Sequence, residues 1–133
     1  MRRPDMLRIR HSNQFRFALS ARPVARTAHF ALHRMPLDSR PDDIAPPPFA
    51  GTQSWIGALI PKRWARRAVT RNAIRRQIYA VSGSVEAALV PAAHVVRLRS
   101  GFANAQFPSA TSSALKQAVR VELLQLFGQG GKP

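Results

Sequence analysis

Cysteine is absent from the 133 residues of this chain. Without it the protein has neither a disulfide framework nor a thiolate metal site, a composition that suits the cytoplasm, where we expect the protein to act. Long apolar runs are missing too, since no stretch reaches the 18 residues of a membrane-spanning helix. Acidic residues are scarce, with six Asp and Glu against 21 Lys and Arg.

This imbalance gives a formal net charge of +15. Hydrophobic residues still make up 45% of the chain, so we expect one folded domain over residues 1–133 rather than a disordered basic tail. A folded domain with this charge favours a nucleic acid as partner over an acidic membrane surface or an acidic protein. Most of the basic residues are Arg, which binds phosphate through two parallel hydrogen bonds.

The positive charge is concentrated in residues 62–76, which read KRWARRAVTRNAIRR. Seven of these 15 residues are Lys or Arg and none is acidic. We expect a helix from Ala68 to about Ala80, with Gly83 as its stop. Its buried stripe would consist of Ile74, Ile78 and Val81, which leaves an arginine-rich face toward solvent.

Hydrophobic periodicity predicts three strands, over residues 27–34, 54–60 and 94–99. Two further helices are expected, over residues 13–20 after an N-cap at Ser12 and over residues 111–127. The order α-β-β-α-β-α indicates an α/β (α+β) two-layer sandwich, in which a small mixed sheet packs against helices. Residues 36–53 hold five prolines and predict an exposed loop, and residues 128–133 predict a disordered tail.

One ordered series of motifs narrows the type of nucleic-acid partner. An apolar strand containing Trp55-Ile56-Gly57 is followed by the basic pair Lys62-Arg63, by Arg71-Asn72 and by Ile74-Arg75-Arg76. The series resembles the protein subunit of bacterial ribonuclease P. Weaker similarity extends over most of the chain, through Arg8 to Phe17, His29 to His33 and His94 to Arg99. The chain departs from the family pattern at Ala73 and Tyr79, where that family usually carries Arg.

This resemblance implies a protein that assists a catalytic RNA, whose magnesium ions drive cleavage of precursor tRNA to give the mature 5′ end. The expected partners are ribonuclease P RNA and precursor tRNA, with no obligate protein partner. No catalytic residue, tightly bound cofactor or metal is expected on the protein. The expected contacts to the catalytic RNA are Arg63, Arg66, Arg67, Arg71, Asn72, Arg75 and Arg76. Those to the 5′ leader are Arg8, Phe15, Leu19, His33 and Lys62.

Other functions remain open on the sequence alone. A structural RNA-binding protein, such as a ribosomal component, would share the basic helix but have no role in cleavage. A protein-only nuclease would use a His pair as acid and base, and a DNA-binding protein would place a helix in the major groove. The sequence favours neither of two interpretations of Phe15, packing in the core or contact with the leader. His29 and His33 lie about 13 Å apart along a strand, too far to ligate one metal ion.

Overall fold

The computed structural model describes residues 6–49, 51–86, 89–102 and 113–130, and in these ranges it has one sheet and three helices. The predicted α+β sandwich, a mixed sheet packed against helices, is confirmed. The helices are α1 (Ser12–Leu19), α2 (Ala68–Val85) and α3 (Ser113–Gly130). The strands are β1 (Leu7–Arg8), β2 (Pro23–Arg26), β3 (Phe30–Met35), β4 (Trp55–Leu59) and β5 (Ala93–Leu98).

The sheet has the strand order β1-β4-β5-β3-β2. β1 and β5 both run parallel to β4, whereas β3 is antiparallel to β5 and to β2. The connection from β4 to the parallel β5 passes through α2, as parallel neighbours require a long crossover. The basic turn and the start of α2 therefore come directly after the carboxyl end of β4.

The two short strands β1 and β2 lie at the edges of the sheet and were not predicted. β1 has only two residues, too few to produce an alternating pattern. β2 begins at Pro23, a residue tolerated at the first position of an edge strand but usually a sign of a loop. Both strands form because an existing neighbour, β4 or β3, offers its unpaired backbone edge.

Helices α2 and α3 cover one face of the sheet and form the larger core. The predicted stripe of α2 is buried at Ile74, Ile78 and Val81. The apolar positions of α3 are also buried, at Leu115, Val119, Leu123 and Leu126. They pack with the inward side chains of the central strands, Phe30, Leu32, Val96 and Leu98.

Helix α1 covers the opposite face. Ala18 is fully buried at the centre of its contact with the sheet. Phe17 stacks on Phe49 with ring centroids 6.5 Å apart, and Phe49 tilts against Trp55 at 5.7 Å. Phe49 is itself fully buried, so the prediction that loop 36–53 is exposed is wrong at this end of the loop.

Three helix boundaries differ from the prediction. The N-cap of α1 is His11, and Ser12 is the first helical residue. α2 continues through Gly83 to Val85, and α3 continues through Gly128 to Gly130. Gly51 is the one glycine with a positive φ in the described part of the chain, so the helical glycines do not adopt the left-handed conformation that ends a helix. Of the predicted tail 128–133, residues 131–133 lie outside the described ranges.

Candidate RNA interface

The basic segment divides into an exposed turn and the first half of α2. Lys62 and Arg63 lie in a turn closed by hydrogen bonds from the backbone N–H groups of Trp64 and Ala65 to the carbonyl of Pro61, at 3.1 and 3.2 Å. Ala65 is buried and anchors this turn against the core. The charged side chains that follow, those of Arg66 and Arg67, are exposed.

Arg71 connects the helix to this turn. Its Nη1 donates hydrogen bonds to the carbonyl oxygens of Ala65, at 3.0 Å, and of Arg66, at 2.8 Å. The side chain is half-buried, unlike the neighbouring cations in the turn. Arg71 thereby fixes the backbone that presents Arg66 and Arg67, a positioning role that the sequence did not reveal.

Asn72 and Arg75 are coupled on the exposed side of α2. Nη1 of Arg75 donates to Oδ1 of Asn72 at 3.0 Å. Together with Arg76 they line one side of a groove of about 590 Å³, which Arg8, Tyr79 and Ala80 complete. The expected RNA contacts on α2 therefore share one continuous surface, which ends in this groove.

Arg8 was expected among the leader contacts, but the structure places it beside α2. Its guanidinium carbon lies 4.1 Å from the centre of the Tyr79 ring. The next residue, Ile9, is buried on the α1 face against Phe15. Successive side chains of an extended segment point to opposite faces, so Arg8 and Phe15 are separated by the sheet. The grouping of Arg8 with Phe15 is therefore wrong.

Phe15 and Leu19 do lie together, on one flank of α1. The other flank carries Phe17, which stacks on Phe49, and Gln14, whose Nε2 donates to the carbonyl of Pro48 at 3.1 Å. Because successive residues turn by about 100°, Phe15 and Leu19 fall on the side away from this loop. Both are half-buried, so each combines core packing with an accessible surface.

A glycine forms the floor beneath Phe15. A Cβ atom at Gly57 would lie only 2.7 Å from Cε1 of Phe15 and 3.0 Å from Cβ of Ile9. The absent side chain therefore allows the Phe15 ring to approach β4. Leu59 and Arg97 are paired on the same face, toward the carboxyl ends of β4 and β5. Phe49 of the loop contacts the opposite end of this face, at Trp55.

His33, another expected leader contact, is buried, with 4% of its surface exposed. Nδ1 donates to the carbonyl of Ala21 at 2.9 Å, and Nε2 accepts from Nε of Arg97 at 3.4 Å. Burial lowers the pKa of His33, and the nearby Arg97 lowers it further. The ring is thus a neutral part of the core whose nitrogens are both occupied. Arg97 is half-buried on the same face and is a cation that the prediction omitted.

His94 is wholly buried on the α2 and α3 face of the sheet. Its Nε2 donates to the carbonyl of Val90 at 3.2 Å and its Nδ1 accepts from Nε of Arg34 at 3.5 Å. Desolvation, with a smaller contribution from Arg34, lowers the pKa of His94 to about 4. His94 is therefore neutral and inaccessible at physiological pH.

His29 and Glu122 are in close side-chain contact, with Nδ1 and Oε1 2.7 Å apart. Glu122 also accepts hydrogen bonds from the Thr27 hydroxyl at 2.6 Å and from the backbone N–H of His29 at 2.8 Å. These contacts attach α3 to the turn between β2 and β3. Across the described ranges, no cluster of three or more His, Asp or Glu side chains could hold a metal ion. None of the helices in those ranges has the length and hydropathy to cross a membrane.

Comparison with known proteins identifies the family of this chain. The family model described as Ribonuclease P matches residues 4–122. The chain belongs to the ribonuclease P protein family. This membership confirms the resemblance drawn from the motifs around residues 55–76.

Curated relatives support the same family over nearly the whole chain. The ribonuclease P protein component of Bordetella petrii is 34% identical over 120 residues, which cover 90% of this chain and 88% of the relative. That of Ralstonia pickettii is 30% identical over 130 residues, covering 98% of this chain and 83% of the relative. Among solved structures, the RNase P protein of Staphylococcus aureus aligns with a TM-score of 0.64. It covers 93% of this chain at 14% identity, so it supports the fold alone.

Proposed function

We propose that this chain is the protein subunit of ribonuclease P. It binds the catalytic RNA through the basic surface of α2 and holds the 5′ leader of precursor tRNA along the open flank of α1. In this proposal the holoenzyme removes the leader in the cytoplasm, and the active site with its magnesium ions belongs to the RNA. The observation that carries the proposal is the continuous cationic surface from the β4–α2 turn along α2, in a member of this family.

The α2 surface suits folded RNA. Base edges in the deep major groove of A-form RNA are inaccessible, so a basic helix reads the phosphates and the shape of the backbone. Arg66, Arg67 and Arg76 are exposed, and Arg71 holds the turn in place. If about five phosphates are neutralised, the logarithm of affinity should fall with the logarithm of salt with a slope of roughly −3.5 to −4.5.

The flank of α1 suits a single strand. Unpaired bases stack on aromatic and apolar side chains while cations follow the phosphates. Phe15 and Leu19 supply the apolar surface, and Arg97 supplies a cation on the same face of the sheet. Because His33 is buried, we assign it to support of Arg97 rather than to direct leader contact. Lys62, exposed beyond the carboxyl end of β4, remains a proposed phosphate contact.

Two of the four histidines do not suit the role of a protein-borne acid or base. A general base must reach its substrate and exchange a proton near neutral pH. His33 and His94 are buried with lowered pKa values, and their ring nitrogens are already hydrogen-bonded. Their burial argues against a role of these two residues in cleavage and supports assigning that step to the RNA.

The deciding experiment incubates precursor tRNA with bacterial ribonuclease P RNA at low magnesium, with and without this chain. We expect stimulated cleavage at the mature 5′ end. No stimulation, with an RNA that is active at high magnesium, would refute the proposal and leave a structural RNA-binding protein. Cleavage by the chain alone would instead indicate a protein-only nuclease.

The two surfaces can be separated by leader length. Arg76→Ala should weaken binding of the catalytic RNA whether or not the tRNA substrate carries a leader. Phe15→Ala should weaken binding of long-leader substrates selectively, by about fivefold or more for each stacked base lost. Equal losses with both substrates would contradict this division of roles.

A further inference from the structure

The groove between β1 and α2 combines an aromatic ring with several cations. The guanidinium of Arg8 lies over the ring of Tyr79, 4.1 Å from its centre, within the range of a cation–π interaction. Tyr79 is half-buried and packs against the larger core, so its ring has a fixed position. The ring therefore restrains an arginine that is otherwise an exposed side chain on a two-residue edge strand.

The rest of the lining provides hydrogen-bond donors and positive charge. Asn72, Arg75 and Arg76 occupy successive turns of α2 beside Tyr79, and the groove has a volume of about 590 Å³. That volume lies within the range of pockets that bind small ligands. Among the described residues no carboxylate lines this groove; Glu86 lines the adjoining cavity, which shares Arg8 and Tyr79. The groove is thus electropositive, and Arg8 marks the boundary between the two cavities.

We infer that this groove binds an unpaired nucleotide of the RNA partner. The base stacks on the Arg8 guanidinium, which the Tyr79 ring supports from the other side, and the adjoining phosphates meet Arg75 and Arg76. The inference rests on the RNA-binding function proposed above and deepens it, because it assigns an unpaired nucleotide to the end of the α2 surface and adds Arg8 and Tyr79 to that surface.

The chemistry of the lining favours an unpaired nucleotide over a duplex backbone. A duplex presents phosphates and sugars to a basic helix and leaves an aromatic ring without a role. An unpaired base offers a face that stacks on an arginine plane or an aromatic ring. Arg75 already donates to Asn72, which holds its guanidinium at the edge of the groove. The groove therefore has both features that a nucleotide-binding site needs. Arg8 on Tyr79 provides a surface on which a base can stack, and Arg75 provides donors for a phosphate.

The groove can be monitored directly, because Tyr79 is the single tyrosine of the chain. Full-length protein made with 3-fluorotyrosine has one ¹⁹F resonance, which would be followed during titration with AMP and, as the matched control, with ribose 5-phosphate. We expect a saturable shift with AMP and a clearly smaller effect with ribose 5-phosphate, which lacks the base. No shift with either compound, or equal shifts with both, would overturn the inference.

Binding of bacterial ribonuclease P RNA tests the same site with variants. Tyr79→Ala should weaken binding about tenfold, whereas Tyr79→Phe, which keeps the ring, should retain affinity within about twofold. Arg8→Lys retains the charge but loses the guanidinium plane, so affinity should fall about tenfold with an unchanged salt slope. Arg40→Lys, in the exposed part of loop 36–53, is the matched control and should bind like wild type.

The outcomes separate this inference from the proposed function. If the wild-type chain stimulates cleavage but Tyr79→Ala and Arg8→Lys bind the RNA like wild type, the nucleotide site is refuted and the function stands. If the wild-type chain neither binds the RNA nor stimulates cleavage, the proposed function is refuted as well. A loss for Arg8→Lys that is accompanied by a smaller salt slope would identify Arg8 as a phosphate contact and overturn the stacking role.

Discussion

The contact between Gly57 and Phe15 gives a prediction that links packing on the sheet to leader binding. Gly57→Ala adds one methyl group to β4 directly beneath α1. That methyl carbon would lie 2.7 Å from Cε1 and 3.0 Å from Cζ of Phe15, and 3.0 Å from Cβ of Ile9. Carbon atoms at optimal separation are about 3.5–4.0 Å apart, so both neighbours must move.

The two neighbours differ in how easily they can move. The Phe15 contact is with the end of a half-buried side chain, which can rotate away from the sheet. The Ile9 contact is with Cβ, which is fixed to the backbone next to β1. Overpacking a core costs about 1–3 kcal/mol, and we expect about 1–2 kcal/mol here because the Phe15 ring can yield. The displaced ring should then lose a stacked leader base, weakening long-leader binding by about tenfold.

Urea unfolding and binding of precursor tRNA with long and short leaders measure these two effects. Gly83→Ala is the matched control, because a Cβ at Gly83 meets nothing within 4 Å. It lies within α2, where Ala in place of Gly should stabilise the protein by about 0.5–1 kcal/mol without altering leader dependence. A destabilised Gly57→Ala variant that keeps wild-type long-leader affinity would refute the proposed contact between Phe15 and the leader, whereas wild-type stability would refute the close packing of Phe15 on Gly57.

Three further predictions concern buried and positioning groups. Because the pKa of His94 is about 4 in the fold and about 6.5 in the unfolded chain, the unfolded chain binds the extra proton between these values. Stability to urea should therefore fall by roughly 3 kcal/mol as pH drops from 6.5 to 4, and His94→Gln should flatten this dependence. Arg71→Ala should lower RNA affinity and should also lower the free energy of unfolding by about 1 kcal/mol, because two hydrogen bonds to the turn are lost. Arg76→Ala should lower RNA affinity alone. Equal stability of the two variants would contradict the positioning role of Arg71. Glu122→Gln should destabilise the fold by about 1–3 kcal/mol, as it weakens three contacts to the β2–β3 turn, and unchanged thermal unfolding would refute their contribution.

Much of the fold follows from local patterns. The stripe Ile74, Ile78 and Val81 repeats with the period of a helix, and the alternation of residues 94–99 matches the register of β5. These predictions succeeded because each depends on neighbours within a few residues of one another. Helix ends were less accurate, since α2 passes through Gly83 without the left-handed turn that the glycine suggested.

The candidate site was only partly predictable, because the contacts that assign its residues are distant in sequence. Arg8 was grouped with Phe15 by the resemblance, yet the pleat of β1 directs it toward Tyr79 on the other face. His33 was expected to contact the leader, whereas the distant residues Ala21 and Arg97 are hydrogen-bonded to its ring, which is buried. The alternation of β5 did place Arg97 on the same face as Val95, a signal that identifies it as the omitted cation.

The sequence by itself determined that this is a strongly basic α+β domain of the ribonuclease P family with an arginine-rich α2. Net charge, periodicity and ordered motifs are properties of neighbouring residues and need no knowledge of the fold. The tertiary structure decided on which face of the sheet each side chain lies. Arg8 contacts Tyr79 beside α2, Phe15 packs between α1 and Gly57, and His33 is buried in the core. The physical reason is that a sheet has two faces, and only strand pairing and helix packing determine which of them a given side chain occupies.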